Sequence, residues 1–361
     1  MVRWRSGTVL SVRRSWRGAA ELDVATDDGP VRALAYPGLV GEPQPGDRVL
    51  LNVGALVMGL GTGGYALVVA LPDRLPADPA DDGTTRDRGH LVKARYTPLQ
   101  PILLGVDEEA SPYREVMAAA ESLDGMPVVT ADLHSALPAI LAGVHADRPD
   151  ARVAYVMTDG GALPAWFSRT LDGLSGHLCG TVTTGQAFGG DLEAGTVHTG
   201  LLAARHVLHA DVAVVAQGPG NLGTGTTWGF SGVALGEAIN AIGVLGGRPV
   251  GSLRISAGDG RPRHRGVSHH SLTAYGRVAL TGADLPVPEG LEAALAAEVD
   301  AALAPLAARH RIVRVPAAGL GEALRACPVP LSTMGRKLDQ DYGYFLAAAA
   351  AGRHAATLLA T

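Results

Sequence analysis

Side chains able to do chemistry crowd into one short stretch of this chain, RHRGVSHH, from Arg263 to His270. Three imidazoles and two guanidinia in so few residues can supply a general base, ligands for a divalent metal, or clamps for a phosphate or carboxylate. The arginines favour anion recognition. No cofactor is identified by the sequence, and a divalent metal is the one these residues could hold. His269 and His270 are adjacent, so on a helix their side chains diverge by about 100° and do not simply share an ion. A metal site then calls for one of them together with carboxylates from other loops.

The second stretch is DVAVVAQGPGNLGTGTTWGFS, Asp211 to Ser231. Val212 to Ala216 is an apolar, β-branched run suited to a strand buried on both faces. Glycines then alternate with small polar residues. A backbone without Cβ atoms can lie close against a ligand, and its N–H groups can converge on an anion. The next helical pattern, Val233 to Leu245, would turn its positive dipole end toward the same charge. Strand, loop and helix read as an anion or phosphate cradle lined by Gly218, Gly220, Asn221, Gly223, Thr224, Gly225 and Thr226. Arg261, Arg263 and Arg265 supply its counter-charge, and Asp159, His264 and His269 are the candidates for proton transfer.

Blander roles stand beside these. Gly218, Gly220 and Gly223 match the dinucleotide pattern GxGxxG formally, but they come after a late strand and lack an acidic ribose partner, Glu237 lying inside the next helix. A tight structural loop is the other alternative. Asp132 and Asp159 both precede helical patterns, where capping or turn formation is common, and for Asp132 capping is preferred.

The elements that must position these residues come from the pattern of the rest. From His90 onward strand and helix alternate, which predicts an α/β domain, a Rossmann-like and largely parallel sheet with helices on both faces. Strands are expected at Ile102–Val106, Val128–Ala131, Arg152–Thr158, Leu178–Thr184, Val212–Ala216, Val250–Ser256 and Arg311–Val315. Helices are expected at Pro112–Leu123 (capped by Ser111), Ser135–Gly143, Ala165–Leu174, Gly195–His209, Val233–Leu245, Ser268–Leu280, Leu291–Ala308 and Tyr342–Leu359. Asp132 and His134, then Asp159, then Gln186 and Asp191, then the glycine loop, then Asp259 to His270 each come directly after a strand. If the strands are parallel, these loops share one edge of the sheet, where ligand sites form. The glycine loop and RHRGVSHH should face each other there.

Ahead of this domain, residues 1–71 alternate with period two and predict a small all-β, barrel-like domain, with strands at Thr8–Val12, Ala20–Val24, Val31–Ala35, Arg48–Val53 and Tyr65–Ala70. GLGTGG, Gly59 to Gly64, sits between two of them and reads as a turn rather than a nucleotide loop. Residues 72–89, rich in Pro and Asp, read as a linker, and residues 90–361 as the ligand-binding domain with its C-terminal helix.

Composition sets the outer bounds. The 361 residues are 47% hydrophobic but only 4% aromatic, so the core must be built from Ala, Val and Leu. A formal net charge of −5 gives no general attraction to nucleic acid, which is an unlikely partner on this count, or to acidic membranes. Two cysteines far apart support neither a disulfide framework nor a zinc ribbon. With no apolar run fit for a membrane span or signal peptide, the cytoplasm is the expected location. Nothing excludes a homo-oligomer.

RYTPLQ (Arg95 to Gln100), SLDGMPVV (Ser122 to Val129), LHSALP (Leu133 to Pro138), YVMTDGGALP (Tyr155 to Pro164), GQAFGGD (Gly185 to Asp191) and RHRGVSHH are long and unusual words. With them the chain resembles, over nearly its whole length, a bacterial family known as domain of unknown function three-eight-six-six. The resemblance implies no activity, substrate or cofactor, so the expectation rests on the residues. It is an enzyme acting by hydrolysis or group transfer on a small phosphorylated, nucleotide-like or otherwise anionic ligand. The alternative is a non-catalytic metabolite-binding or scaffold protein whose barrel contacts a macromolecular partner.

Overall fold

The computed structural model describes residues 2–77 and 89–359. The chain forms two compact units. The first runs to Leu103 and takes in Trp166–Asp172; the second comprises Leu104–Ala165 and the chain from Gly173 on. The division thus falls later than residue 89, and most of the expected linker, residues 78–88, lies outside the described residues.

The first unit is a closed five-stranded barrel of β1 (Trp4–Trp16), β2 (Ala19–Thr26), β3 (Gly29–Ala35), β4 (Arg48–Asn52) and β5 (Ala66–Ala70), in the order β1-β2-β3-β5-β4. The period-two alternation of the sequence points Val9, Leu22, Val24, Ala33, Val49, Leu51, Ala66 and Val68 into one core. Single helical turns, Pro37–Val40 and Gly54–Val57, sit in its connections. GLGTGG lies in the link between the antiparallel strands β4 and β5, as its placement in the sequence implies. Arginines of this unit are paired with acids: Arg5 with Asp28, Arg13 with Asp23, Arg14 with Glu21, Arg48 with Asp73 and Arg74 with Asp47.

Two expected elements resolve differently here. The helix Ala165–Leu174 is broken into the turns Ala165–Phe167 and Arg169–Gly173, because Trp166 packs on the barrel, its carbonyl accepting from Trp16 Nε1 at 2.7 Å and its ring 6.1 Å from Tyr36. The expected strand Ile102–Val106 shrinks to Ile102–Leu103, paired with Leu91–Val92 outside the main sheet.

The second unit is built on eight parallel strands: β6 (Pro127–Ala131), β7 (Val153–Thr158), β8 (Gly180–Thr183), β9 (Leu192–Glu193), β10 (Val212–Gln217), β11 (Arg248–Gly251), β12 (Asp284–Pro288) and β13 (Arg311–Val315). Their order is β9-β8-β7-β10-β6-β11-β12-β13. β6 and β10 are buried throughout, as their unbroken apolar runs require. Burying each Val or Leu in such a strand contributes about 1.5–3 kcal/mol.

Five helices flank this sheet or border its edge: α1 (Leu137–Asp147), α2 (Val197–His206), α3 (Ala234–Val244), α4 (Ala293–Leu303) and α5 (Tyr342–Thr357). α2 and α3 cover Val128, Ala154, Val156, Ala213 and Val215 on one face of the sheet. On the other face α1 and α5 cross closely. A methyl group on Gly352 would overlap the Ile140 carbonyl, and one on Gly143 would overlap that of Ala349. A core poor in rings is filled here by bringing small-residue helices close together.

Three details depart from the expected elements. β12, with its prolines, and a short helix, Leu320–Arg325, carry no strong pattern in the sequence. The helix Pro112–Leu123 is only Arg114–Ala119, with Ser111 ahead of it in a turn, its Oγ donating to Val106 O and accepting from the Tyr113 amide at 3.2 Å. The strand Val250–Ser256 breaks after Gly251, and Ile255–Ser256 turns back to pair antiparallel with Gly266–Val267. That break throws Ser252 to Arg254 across the carboxyl edge of the sheet.

Candidate functional site: a histidine cluster at the carboxyl edge

Because the strands are parallel, the loops leaving β6, β10 and β11 emerge on one edge, where the sheet order makes β6 the neighbour of both others. They meet there. A Cβ on Gly232 would lie 3.2 Å from that of Asp132, and one on Gly225 would lie 3.8 Å from the Arg263 guanidinium. Gln217 Nε2, at the end of β10, donates to the Asp132 carbonyl at 2.8 Å and to Asn221 Oδ1 at 3.0 Å. The expectation that the glycine loop and RHRGVSHH face each other describes this arrangement.

At the centre lie His264, His269 and His270, which each offer one ring nitrogen within 4.8 Å of the others. Adjacent histidines inside a helix would diverge. Here the helical segment begins at His269, with Ser268 as its N-cap, and the two rings converge with centroids 4.5 Å apart. The segment, His269–Thr273, continues as a π-turn over Ala274–Val278, a distortion frequent at functional sites.

Each ring is held. His264 Nδ1 and Ser268 Oγ hydrogen-bond at 2.7 Å, and Ser268 Oγ also accepts from the His270 amide at 3.2 Å. His270 Nδ1 lies 3.2 Å from Asp132 Oδ2, and its ring stacks on Phe230 with centroids 3.8 Å apart. His269 Nε2 is buried and has no hydrogen-bond partner among the described residues. Burial, reinforced by Arg254 and Arg261, pushes His264 down to about 3. Burial, with His270, Arg263 and Arg254 nearby, pushes His269 down to about 4, so both imidazoles are neutral at pH 7.

Behind the histidines is a balanced lattice of charge. Arg254, only 3% exposed, bridges Asp132 at 3.5 Å and Asp259 at 3.3 Å. Asp259 also takes both arms of Arg261, at 2.9 and 2.7 Å, and Arg336 at 3.2 Å. Arg336 reaches on to the buried Asp341 at 2.9 Å, which accepts in turn from Ser256 Oγ. Burial alone would raise the Asp132 carboxyl, but the His270 hydrogen bond and the Arg254 charge hold it below its ordinary value. Hydrogen bonding by Arg261 holds Asp259 far down, against its burial.

The candidates picked from sequence separate into three groups. His264 and His269 are in the cluster. Arg263 is exposed, has no carboxylate partner among the described residues, and faces the glycine loop. Arg261, by contrast, is taken up by Asp259, so it is not a free counter-charge, while Arg265 is exposed and lies 3.6 Å from the exposed Glu298, a surface contact. Asp159 is exposed and accepts from the Gln186 amide at 2.8 Å, the work of a turn residue. Gly218 is buried against the backbone of Ala162, a close approach within the fold, whereas Gly220 and Gly225 take φ of +90° and +84° and lie in the exposed loop.

That loop closes largely on itself. The Thr224 amide donates to Gly229 O, the Gly229 amide to Thr226 Oγ1 and the Leu222 amide to Ser231 Oγ. Asn221 Oδ1 accepts from Ser231 Oγ, and the Thr224 and Thr226 hydroxyls pair with each other. Gly223 has open space beside it, with Phe230 Cβ 4.0 Å away.

Sequence reasoning passed over Arg254, Ser268, Phe230, Arg336 and Asp341, and assigned Asp132 to capping. Its side chain caps no helix: the next turn begins after Leu133 without a side-chain cap. The contacts that bring Arg254, Arg336 and Asp341 into this lattice, Arg254 with Asp132, Arg336 with Asp259 and Asp341 with Ser256, join residues far apart in sequence, so no local pattern announces them. His134, buried and pushed down to about 4 by burial, is structural, its Nδ1 lying 3.0 Å from the Tyr155 hydroxyl.

A cavity of about 630 Å³ lies where β6 and β11 begin, lined by Arg148, Arg205, Asp211 and Arg248 among others. Its charges are in part used: Asp211 accepts from the Arg152 amide at 2.8 Å and Asp124 pairs with Arg205 at 3.6 Å. The histidine edge has the stronger chemistry.

Among the described residues no helix is long and apolar enough to cross a membrane. The family model described as Protein of unknown function (DUF3866) matches residues 32–352, and the chain belongs to that family. No curated protein and no solved structure matches it.

Proposed function

We propose that this member of a family without an assigned activity is an enzyme that binds a small phosphorylated, nucleotide-like or other anionic substrate at the carboxyl edge of β6, β10 and β11, and hydrolyses it or transfers a group from it. The observation that carries this reading is the convergence of His264, His269 and His270 opposite the glycine loop, with Arg263 left unpaired by any carboxylate among the described residues. Clustered imidazoles, one of them held by a buried carboxylate, are equipped to handle protons or hold an electrophilic metal. Arg263 and the exposed Gly220–Thr226 backbone would meet the anion, since guanidinium and amide donors bind phosphate and carboxylate oxygens. In hydrolysis, a water oxygen bonds to phosphorus or acyl carbon as the bond to the leaving group breaks. One of the water's protons passes by way of the site to the departing oxygen, and the other stays with the new hydroxyl of the product or is released to solvent.

The test is turnover of a panel of phosphomonoesters, nucleotides and carboxylic esters by the purified full-length chain. His269→Ala should lower kcat, and Arg263→Gln should mainly raise KM in a salt-dependent way. Saturable binding of a panel member without turnover would favour the non-catalytic binding protein. Turnover unchanged in His269→Ala would refute the assignment of the reactive centre.

A further inference from the structure

We propose that His264, His269 and His270 form a binding site for a zinc-class divalent transition metal. The inference rests on the functional reading above only for what such an ion would do; its own basis is geometry.

Three donors are already gathered, each with a nitrogen within 4.8 Å of the others. Tetrahedral coordination with Zn–N bonds of about 2.0–2.1 Å places donors about 3.3 Å apart, so closure needs side-chain movements of about an ångström. The hydrogen bonds leave a ring nitrogen open on His264 and on His270. His270 donates from Nδ1 to Asp132, and His264 can donate from Nδ1 to Ser268, which frees Nε2 of each. His269 Nε2 is buried without a partner among the described residues, which ordinarily costs stability, and a metal bond would satisfy it. Carboxylate–histidine pairing of the His270–Asp132 kind is what orients and strengthens metal-bound imidazoles.

The chemistry of the donors selects the ion. Imidazole suits zinc, copper, nickel and iron, whereas magnesium and calcium take oxygen donors. Arg254, 3.4 Å from His270 Nδ1, opposes a cation, but it is engaged by Asp132 and Asp259, and the lattice of Arg254, Arg261 and Arg336 with Asp132, Asp259 and Asp341 carries no net charge. Three protein donors leave a position for a further ligand, as catalytic zinc sites do and four-donor structural sites do not. With Arg263 beside it, that ligand would be anionic.

The experiment strips the full-length protein with a chelator and titrates it with zinc and with cobalt(II). One equivalent per chain by elemental analysis, a visible cobalt spectrum of tetrahedral type and a raised Tm are expected. His269→Ala should weaken binding at least tenfold, while the control His206→Ala leaves it unchanged. X-ray absorption on the zinc-loaded wild type tests the same point without a variant, and should count three imidazole nitrogens. Failure to bind, binding unchanged in a folded His269→Ala, or fewer than three imidazoles would overturn the proposal. The two readings fail separately: a metal site without turnover of the panel removes the enzyme and leaves the site, and turnover by chelator-treated protein that binds no zinc removes the site and leaves the enzyme.

Discussion

Arg254→Met tests whether the lattice behind the histidines is an interdependent unit. The side chain is 3% exposed and lies between Asp132 at 3.5 Å and Asp259 at 3.3 Å. At an effective dielectric of about 20, each contact has a gross attraction of about 5 kcal/mol, most of it offset by the loss of water around both charges. Removing the guanidinium leaves Asp259 with Arg261 and Arg336, but leaves Asp132 with His270 alone. The cost therefore falls on one stranded, buried carboxylate, and such breakage typically destabilises by about 3–5 kcal/mol. Replacing both partners, as Arg254→Met/Asp132→Leu, removes the stranded charge and should recover all but about 1–2 kcal/mol of that loss.

Since the chain has two compact units, a single global unfolding curve would mix them. Urea titration of metal-free protein, read by hydrogen exchange of peptides covering β6 and β11, reports the second unit alone. A single variant losing less than about 1 kcal/mol, or a double variant less stable than either single one, would refute the account of a stranded charge.

Three further outcomes are expected. Asp132→Asn should weaken zinc binding about 10–100-fold by disturbing the orientation of His270, measured by competition with a chromogenic chelator; unchanged affinity would detach Asp132 from the site. Gly352→Ala should destabilise by about 1–3 kcal/mol despite alanine's better helix propensity, because the methyl group meets the Ile140 backbone. Gly260→Ala, with nothing within 4 Å, should be near neutral in the same melts. Glu21 in the barrel is 2% exposed; burial would raise its carboxyl, but Arg14, Tyr65 and Arg13 hold it below the ordinary value. Its contribution is thus present above the unfolded value of about 4.3 and lost as pH falls through the folded value. Glu21→Gln should destabilise the barrel at pH 7, and the difference from wild type should vanish in strong acid; an equal difference at both pH values would refute it.

The sequence alone determined the two architectures and the edge on which chemistry sits. Period-two alternation means barrel strands with one buried face, and unbroken runs such as Val212–Ala216 mean strands buried on both faces of a parallel sheet. Once the strands are parallel, every polar word after a strand must emerge on the same edge, so the shared edge of the glycine loop and RHRGVSHH was legible, whereas chain order implied that their strands are neighbours and the structure puts β6 between them. Which of those residues act together was decided by the tertiary structure. His270 meets Asp132 from 138 residues away, and Arg336 meets Asp259 from 77 residues away, distances across which no local pattern carries information. The convergence of His269 and His270 results from the helical segment starting at that point under the Ser268 cap, a boundary set by the pairing of Ile255–Ser256 with Gly266–Val267 as much as by the residues themselves. Local sequence encodes which face a side chain takes along its own element. The partner it finds depends on how distant elements pack, and that arrangement left Arg263 facing the loop while joining Arg254 to Asp132.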